Sequence, residues 1–324
     1  MTAVTNAQPA VSFADIEAAR DRIRGQVVRT PLFPSEALSK LTNCRLSLKA
    51  ENFQKTGAFK ARGALNAVAL LTPEERHRGV VTFSAGNHGQ GLAFAASTMS
   101  AACTVFMAHN AMPTKVDAIR GFGAQIRQFP TIQEAVEQME TMQRDTGAVF
   151  VSPFGDPAVI AGQATVGLEI VEDLPEVEQI IVPVGGGGLI AGIPFALATL
   201  RPIARIVGVE PEGAAAMSEA LTAGSPVRLE QVSTIADGLA APFTCDLNLA
   251  IVKAYVDDIV ILTDDEIVDS MRLMLHHCKL LAEPAGAAGL AALVTGKAAV
   301  PVGAETVAIV TGGNTDLPNL KALL

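Results

Sequence analysis

The sequence predicts an α/β protein with largely parallel sheets, and two observations support this prediction. Short apolar segments alternate with segments of helical spacing along almost the whole of the 324-residue chain, as in proteins built from βαβ units. The apolar segments are continuous runs rich in β-branched residues. Such runs are expected where helices cover both faces of a sheet.

In the first half of the chain, four strands each precede a helix. The strands are runs of apolar residues, and the helices repeat apolar residues at intervals of three and four. The strands are RLSLKAE, GVVTF, ACTVFMA and AQIRQF, and the helices that follow them are GAFKARGALNAVALL, GNHGQGLAFAASTM, TKVDAIRGFG and IQEAVEQMETMQRDTG. The side chain of Ser84 or Asn87 is expected to cap the second of these helices.

Five further strands are predicted later in the chain. They are AVFVSPF, IIVPV, RIVGVE, DIVILT and TVAIV. Because no Pro-, Gly- or Ser-rich linker divides the chain, any second domain is expected to be inserted and not appended. Ligands of open α/β sheets bind at the carboxyl ends of strands, so the strand-to-helix turns are the places to search for a site.

Composition excludes several classes of function. The net charge of −9, the absence of tryptophan and the single tyrosine argue against a nucleic-acid partner. No apolar run is long enough for a membrane span, and the N-terminus lacks the features of a signal peptide. The four cysteines form no CxxC pair, which indicates core thiols and neither zinc nor disulfides. A soluble cytoplasmic protein is expected.

Four consecutive glycines, Gly185, Gly186, Gly187 and Gly188, follow the strand IIVPV. Glycines let backbone N–H groups approach a ligand closely, and the N-terminus of the following helix favours an anion. A phosphate is the predicted ligand, and a flexible turn of small residues is the alternative. No Lys-Ser/Thr follows, which excludes a Walker P-loop, and the spacing differs from the G-x-G-x-x-G of a dinucleotide site.

Lys60 is the candidate reactive residue. It lies just after a predicted strand, behind Ala58 and Phe59, where there is room for a planar ligand. A lysine in a partly apolar pocket has a lowered pKa and can form a Schiff base with a carbonyl compound. For any lone lysine, the alternative is a solvated cation on a helical turn.

Six segments occur together and in order along the chain. They are KTGAFKARGALNAV, SAGNHGQGLA, GQATVGLEI, PVGGGGLIAG, DGLA and EPAGAAGLAAL. This ordered set resembles the fold-type II pyridoxal-phosphate enzymes, specifically the threonine/serine dehydratases (threonine ammonia-lyases) and their serine racemase relatives. The similarity extends from RTPLFPSEALS to TGGNTD, which is nearly the whole chain.

The resemblance implies two open, twisted parallel-sheet domains, as in the β subunit of tryptophan synthase. Residues 1–73 and 151–324 would form the large domain, which binds the cofactor. Residues 74–150 would form a small inserted domain, with the active site in the cleft between the two domains.

The resemblance also implies how the cofactor, pyridoxal 5'-phosphate, is held. Lys60 would bind it covalently and take the Cα proton of the substrate, while the four glycines would donate N–H groups to its phosphate. Thr311 would face the pyridine nitrogen with a neutral hydroxyl, which favours β-elimination; the alternative is a threonine that ends a buried strand. The remaining implied contacts are Phe59 and Gly238 beside the ring, Asn87 at its phenolic oxygen, and Glu283, for which the alternative is a charge at a helix terminus.

The segment SAGNHG would bind the substrate, since helix N-termini attract anions. The resemblance places the substrate carboxylate on Ser84, Ala85, Gly86, Asn87 and His88. For Asn87 the alternative is a plain helix cap. For His88 we favour a packed helix residue over a role in proton transfer.

Two departures from related sequences concern the reaction. Serine racemases carry a second serine after the one at Ser84, which protonates the opposite face of the substrate. Ala85 occupies that position here, as in the dehydratases, so Lys60 is the only base and efficient racemisation is not expected. Many relatives have serine at the position of Ala58, and no consequence of that change is predicted.

A third departure argues against a cation site. Metal-binding relatives use a glutamate, a carbonyl and an aspartate; Glu210 and the carbonyl of Ala214 match the first two, but Ala216 replaces the aspartate. Hard cations need several oxygen ligands, so a divalent or monovalent site is not complete. Glu212 or Glu219 could compensate, and the alternative is that both are solvated.

The predicted activity is the release of ammonia from a β-hydroxy amino acid. L-threonine giving 2-oxobutanoate is the first choice of substrate, and L-serine giving pyruvate is the second. The alternatives are a dehydratase for 3-hydroxyaspartate, phenylserine or a hydroxyectoine-derived amino acid, a serine racemase, and a nucleotide-binding oxidoreductase. The chain ends soon after TGGNTD, so no isoleucine-sensing domain and no feedback by isoleucine are expected. A homo-oligomer, dimer or tetramer, is also expected.

Overall fold

A computed structural model describes residues 11–109 and 111–323. The strands are β1 (Leu32–Pro34), β2 (Arg45–Ala50), β3 (Val80–Phe83), β4 (Cys103–Ala108), β5 (Gln125–Phe129), β6 (Val149–Phe150), β7 (Gln179–Pro183), β8 (Arg205–Pro211), β9 (Asp258–Leu262) and β10 (Glu305–Val310). The helices are α1 (Phe13–Ile23), α2 (Glu36–Thr42), α3 (Lys60–Leu70), α4 (Pro73–Arg78), α5 (Asn87–Thr98), α6 (Pro113–Gly121), α7 (Ile132–Thr146), α8 (Pro157–Asp173), α9 (Gly188–Leu200), α10 (Ala216–Ala223), α11 (Asp246–Tyr255), α12 (Asp264–Leu273), α13 (Pro284–Val294) and α14 (Leu317–Leu323).

Two sheets organise these elements. The larger sheet has the order β1-β2-β10-β7-β8-β9, and the smaller has the order β5-β4-β3-β6. All neighbouring strands are parallel except β1, which pairs with β2 in the antiparallel direction. The predicted α/β class with largely parallel sheets is confirmed. Strand β1 was not predicted, because the three residues Leu32–Pro34 are too few to produce a pattern.

Both faces of the larger sheet are buried, which explains its continuous apolar strands. In β7, Ile181 packs into a cluster on the face covered by α12 and α13, whereas Ile180 and Val182 pack into a cluster on the face covered by α8 and α9. Burying one such side chain contributes ~1.5–3 kcal/mol. The carboxyl ends of β7 and β10 are therefore firmly held where the chain turns towards the candidate site.

The smaller sheet is built from one continuous part of the chain, between Val80 and Phe150, while the larger sheet uses strands on both sides of that part. The domain boundaries at residues 73/74 and 150/151 stay a prediction. The predicted strand AVFVSPF is wrong in its second half, because only Val149–Phe150 is extended in the sheet. The hydroxyl of Ser152 accepts a hydrogen bond from the amide of Gly155 (3.0 Å), which turns the chain instead.

The cysteines are free thiols, but only Cys44 and Cys103 are buried. Cys245 and Cys278 are partly exposed, so the prediction that all four are core residues is wrong for these two. Across residues 11–109 and 111–323, none of the helices combines the length and apolar character that crossing a membrane requires.

Candidate active site

Lys60 is the first residue of α3 and faces the carboxyl ends of the strands. The amide of Phe59 donates to the carbonyl of Thr311 (3.1 Å), which ties the start of α3 to the end of β10. The Lys60 Nζ donates to the carbonyl of Pro153 (2.7 Å) and lies 5.0 Å from the centre of the Phe59 ring. Among the residues described, no carboxylate forms an ion pair with it. Burial lowers its pKa to about 8.

Two positions further along α3, Arg62 points into the interior and is fully paired. It donates two hydrogen bonds to Glu51 (both 2.8 Å) and two to Glu169 (2.7 and 2.8 Å). Glu169 also accepts a bond from Lys49 (2.7 Å), whose Nζ donates to the carbonyl of Thr30 (2.7 Å). Burial disfavours the charge of Arg62, but the two carboxylates outweigh it and hold the pKa of Arg62 above its ordinary value.

Helix α3 also crosses α8 at very short range. A Cβ on Gly162 would lie 2.6 Å from the Cα of Gly63, so neither position tolerates a side chain. The amide of Gly63 does not use the Phe59 carbonyl, which accepts from the amide of Arg62 (3.0 Å) in the first turn of α3. It donates instead to the Oε1 of Gln163 (3.1 Å). Together with the ion cluster, this contact fixes the helix that carries Lys60.

The four glycines form a cradle between β7 and α9. A Cβ on Gly186 would overlap the Phe154 ring, and one on Gly188 would lie 2.9 Å from the Phe154 backbone. Gly187 has φ of +94° and precedes the first residue of α9, a conformation that favours glycine. Within the described chain, none of the four amide groups donates to a protein acceptor. They are free donors at a helix N-terminus, which is a site for an anion.

Pro153 and Phe154 connect the cradle to the lysine. The carbonyl of Pro153 accepts the Lys60 hydrogen bond, and the next residue packs against Gly186 and Gly188. The amine and the anion cradle are therefore two walls of one cleft.

The loop before α5 forms another wall. Gly86 is the N-cap of α5, and no side chain caps the helix, so the prediction of a cap by Ser84 or Asn87 is wrong. Asn87 is the first helical residue, and other partners occupy its carboxamide. Its Nδ2 donates to Glu283 Oε1 (2.6 Å), and its Oδ1 accepts from Asn314 Nδ2 (2.8 Å). The N-terminal amide groups of α5 thus lack a side-chain cap and remain open to an anion.

His88 is buried in the first turn of α5. Its Nε2 bonds to the carbonyl of Val151 (3.0 Å). Burial, together with the nearby charge of Lys60, lowers the pKa of His88 to about 3. The imidazole is neutral, and its Nδ1 has no hydrogen-bond partner among the described residues. The burial of the ring and its Nε2 bond support our interpretation of His88 as a packed helix residue. Ala85, in the same loop, brings only a methyl group to the cleft.

Glu283 is the N-cap of α13 and is buried against the Asn87 carboxamide. Burial, followed by the negative charge of Asp237, raises the pKa of Glu283 to about 7. Its Oε2 has no hydrogen-bond partner among the described residues. A Cβ on Gly312 would overlap the Glu283 carboxylate. A Cβ on Gly238 would lie 3.7 Å from the Oε1 of Glu283. Glycine at both positions leaves space around this acid.

Thr311 follows β10 and is buried. Its hydroxyl donates to the carbonyl of Ala285 (3.1 Å), so lone pairs of that oxygen stay available to a further group. Ala58 forms an isolated antiparallel β-bridge with Gly312. A Cβ placed on Gly312 would lie 3.1 Å from the methyl group of Ala58. Position 58 thus belongs to the wall that joins α3 to the end of β10.

The carboxylate oxygens of Glu210 accept hydrogen bonds from the protein itself. Its Oε1 accepts from the amide of Met217 (2.8 Å), and its Oε2 accepts from the amide and hydroxyl of Ser218 (2.9 and 2.7 Å). Both oxygens therefore cap α10. Glu212 and Glu219 are exposed, and no cluster of three metal-ligating side chains exists in the described part of the chain. The residues at Glu210 and Ala214 do not fit a cation.

Sequence reasoning missed Asn314 and Phe154. The Nδ2 of Asn314 donates to both Asn87 and the carbonyl of Thr56 (2.7 Å), which joins three walls of the cleft. A signal for it was present: Asn314 lies in the segment TGGNTD, and Gly57, at φ of +69°, leaves the space that its carboxamide fills. Phe154 gave no signal, because its partner glycines, Gly186 and Gly188, are 32 and 34 residues away along the chain.

These walls fit pyridoxal phosphate. The free amide donors of Gly185–Gly188 suit its phosphate, the unpaired Lys60 suits its aldehyde, and the buried oxygen of Glu283 without a partner indicates that a polar group is accommodated beside it. The fold and the cleft together define an α/β enzyme whose cleft suits a phosphorylated carbonyl cofactor.

Comparison with known proteins agrees with that class. The model of the family "Pyridoxal-phosphate dependent enzyme" matches residues 23–312. The chain is 44% identical over 316 residues to an L-threonine ammonia-lyase of Thermotoga maritima (97% of this chain, 78% of that protein). It is 39% identical to a beta-hydroxyaspartate dehydratase of Paracoccus denitrificans (95% and 98%). It also superposes on maize serine racemase with a TM-score of 0.93 at 37% identity (97% and 96%).

The chain belongs to the pyridoxal-phosphate dependent enzyme family, in its fold-type II branch. The resemblance found in the six ordered segments is thereby confirmed. The roles of individual residues stay predictions.

Proposed function

We propose that this enzyme is an ammonia-lyase that dehydrates β-hydroxy amino acids, with L-threonine as the preferred substrate and L-serine as the second. The observation that carries the proposal is the partly buried amine of Lys60, which has no carboxylate partner among the described residues and lies beside an anion cradle. The identity of 44% to an L-threonine ammonia-lyase supports the choice of substrate.

The side chains supply binding and proton transfer. The uncapped N-terminus of α5 binds the substrate carboxylate through the loop Ser84–His88. Lys60, whose lowered pKa leaves an appreciable neutral fraction near neutral pH, takes the proton from the substrate Cα at its Nζ. Bound pyridoxal phosphate supplies the electron sink that makes this proton removable. The free amides of Gly185–Gly188 hold the phosphate, and hydroxide leaves from Cβ.

The arrangement favours elimination over racemisation. Racemisation needs an acid on the face opposite Lys60, and Ala85 has no proton to give there. The nearby imidazole of His88 is bonded to Val151, and its pKa is about 3, so it is not a substitute. We expect D-serine to form from L-serine far more slowly than pyruvate does.

A panel of β-hydroxy amino acids tests the proposal. The purified holoenzyme is incubated with L-threonine, L-serine, L-threo-3-hydroxyaspartate and L-threo-phenylserine, and the 2-oxo acid, ammonia and amino-acid enantiomers are measured. We expect equal amounts of 2-oxo acid and ammonia, and the highest kcat/KM with L-threonine. Racemisation that outpaces 2-oxo acid formation, or activity that requires a nicotinamide cofactor, would contradict it.

We also propose that the enzyme is a homo-oligomer. Phe33 and Phe53 support this, because they are both well exposed and contact each other with ring centres 6.0 Å apart. Exposed aromatic pairs of this kind are common at interfaces between subunits. Light scattering coupled to size-exclusion chromatography would report the mass, and a monomer at micromolar concentration would refute the proposal.

A further inference from the structure

An ion pair joins the two sheet layers at the edge of the cleft. Lys115 lies in the first turn of α6, next to the smaller sheet, and its Nζ contacts the Oδ2 of Asp237, which begins a short 3₁₀ turn between α10 and α11. The two partners differ in burial: the side chain of Lys115 is 9% exposed, and that of Asp237 is 49% exposed. A buried ammonium needs a counter-charge, and Asp237 provides it.

The pair lies close to the groups that form the site. Gly238 directly follows Asp237, and a Cβ placed on it would be 3.7 Å from Glu283 Oε1 and 3.8 Å from Asn87 Nδ2. Both charges also act on the Glu283 carboxyl: Asp237 raises its pKa, and Lys115 opposes that rise. The ion pair is therefore within electrostatic range of a ligand in the cleft.

We propose that the Lys115–Asp237 pair sets the charge selectivity of the enzyme for the substrate side chain. Paired, the two residues bring no net charge to the edge of the cleft, so a substrate with a neutral β-substituent is accepted and one with a second carboxylate is disfavoured. This inference rests on the proposed function and deepens it, because it separates L-threonine from 3-hydroxyaspartate.

The remaining charges of the cleft agree with this selectivity. A second carboxylate would meet the half-exposed Asp237 and the Glu283 carboxyl, both of which are acids. Lys60 is assigned to the reaction and His88 is neutral, so neither is a free cation for it. Removing the charge of Asp237 would leave the Lys115 ammonium buried and unpaired, and a β-carboxylate could then serve as its counter-ion.

The variant Asp237→Asn tests the proposal. We expect the ratio of kcat/KM for L-threo-3-hydroxyaspartate to that for L-threonine to rise about tenfold or more, as expected for one unscreened charge near the ligand. Asp117→Asn is the matched control, since it removes the same charge from an exposed residue of α6 whose ion-pair partner among the described residues is Arg120 alone (3.4 Å). That control should leave the ratio within twofold of the wild type.

The double variant Asp237→Asn with Lys115→Met assigns the effect to the lysine. The ratio should return to about the wild-type value, because no unpaired ammonium remains. A ratio unchanged in Asp237→Asn, a rise that persists in the double variant, or a wild-type preference for 3-hydroxyaspartate over threonine would overturn the proposal.

Binding of amino acids that cannot be dehydrated separates this inference from the proposed function. L-aspartate and L-2-aminobutyrate lack a β-hydroxyl, and their affinities can be read from the change in visible absorption of the holoenzyme. We expect Asp237→Asn to strengthen L-aspartate binding relative to L-2-aminobutyrate by about tenfold. If no β-hydroxy amino acid is a substrate, the proposed function fails, yet this binding ratio still tests the charge selectivity.

Discussion

Lys60 and Arg62 are two residues apart on α3, yet their surroundings are opposite. Arg62 meets Glu51 and Glu169 through four hydrogen bonds, and its pKa is held above the ordinary value. Lys60 meets a backbone carbonyl and the Phe59 ring but, among the described residues, no carboxylate, and burial lowers its pKa to about 8. The difference teaches that the first turn of α3 has one side that stabilises the protein through paired charges and another that keeps an amine reactive by leaving it without a carboxylate partner.

The largest expected effect comes from replacing each of these two basic residues by methionine. Arg62→Met leaves the carboxylates of Glu51 and Glu169 without their main partner, so we expect a loss of ~3–5 kcal/mol in the free energy of unfolding. Lys60→Met removes a partly buried charge that has no carboxylate partner among the described residues, so its apoprotein should be as stable as the wild type or more so. Urea unfolding of the three apoproteins measures both. A loss below ~1 kcal/mol for Arg62→Met would contradict the claim that the paired charges of Arg62 stabilise the protein.

The cradle should respond to a single methyl group. Because a Cβ on Gly186 overlaps the Phe154 ring, we expect Gly186→Ala to cost ~1–3 kcal/mol and to weaken retention of pyridoxal phosphate during dialysis. The double variant with Phe154→Ala removes the overlap, so its loss of stability should be smaller than the sum of the two single losses. Additive losses would show that the two residues do not compete for space.

The pH dependence of stability distinguishes the two basic residues further. The pKa of Lys60 is about 8 in the folded apoprotein and 10.5 when unperturbed, so between these values the unfolded chain binds more protons. The apoprotein should therefore gain stability as the pH rises from 8 to 10.5, and lose it as the pH falls back through 8. Chemical unfolding across this range measures the slope. Lys60→Met should flatten it, and an unchanged slope in that variant would contradict the assignment.

The smallest effect is expected at Glu210, another fully paired group. Ser218→Ala removes one of its three hydrogen bonds, so we expect a loss of ~0.5–1.5 kcal/mol. A chelator should leave the melting temperature of the wild type unchanged, because the carboxylate caps a helix. A chelator-induced fall in melting temperature would show that a cation uses Glu210 after all.

Much of the fold was readable from the sequence, because the buried parallel strands are continuous apolar runs. The short antiparallel β1 and the turn after Phe150 were not, since each depends on a few residues and their tertiary partners. In the site, Gly185–Gly188 stood out because a glycine run is a local pattern, whereas Lys60 was singled out by the ordered segments that resemble the family.

The contacts between those patterns could not be predicted. The Asn314–Asn87 bond spans 227 residues of sequence, and the pairing of Lys115 with Asp237 spans 122. No local periodicity reports such distant partners. The cap by Ser84 or Asn87 was predicted wrongly for the same reason, because Glu283 and Asn314 compete for the Asn87 carboxamide from elsewhere in the chain.

The most direct test of the account locates the bond between the cofactor and the protein. The holoenzyme is reduced with borohydride and digested, and the peptides are examined by mass spectrometry. The account predicts a visible absorption band that borohydride removes, the mass of the reduced cofactor on Lys60, and the loss of both band and turnover in Lys60→Ala. A label on another lysine, or turnover that survives in Lys60→Ala, would contradict it.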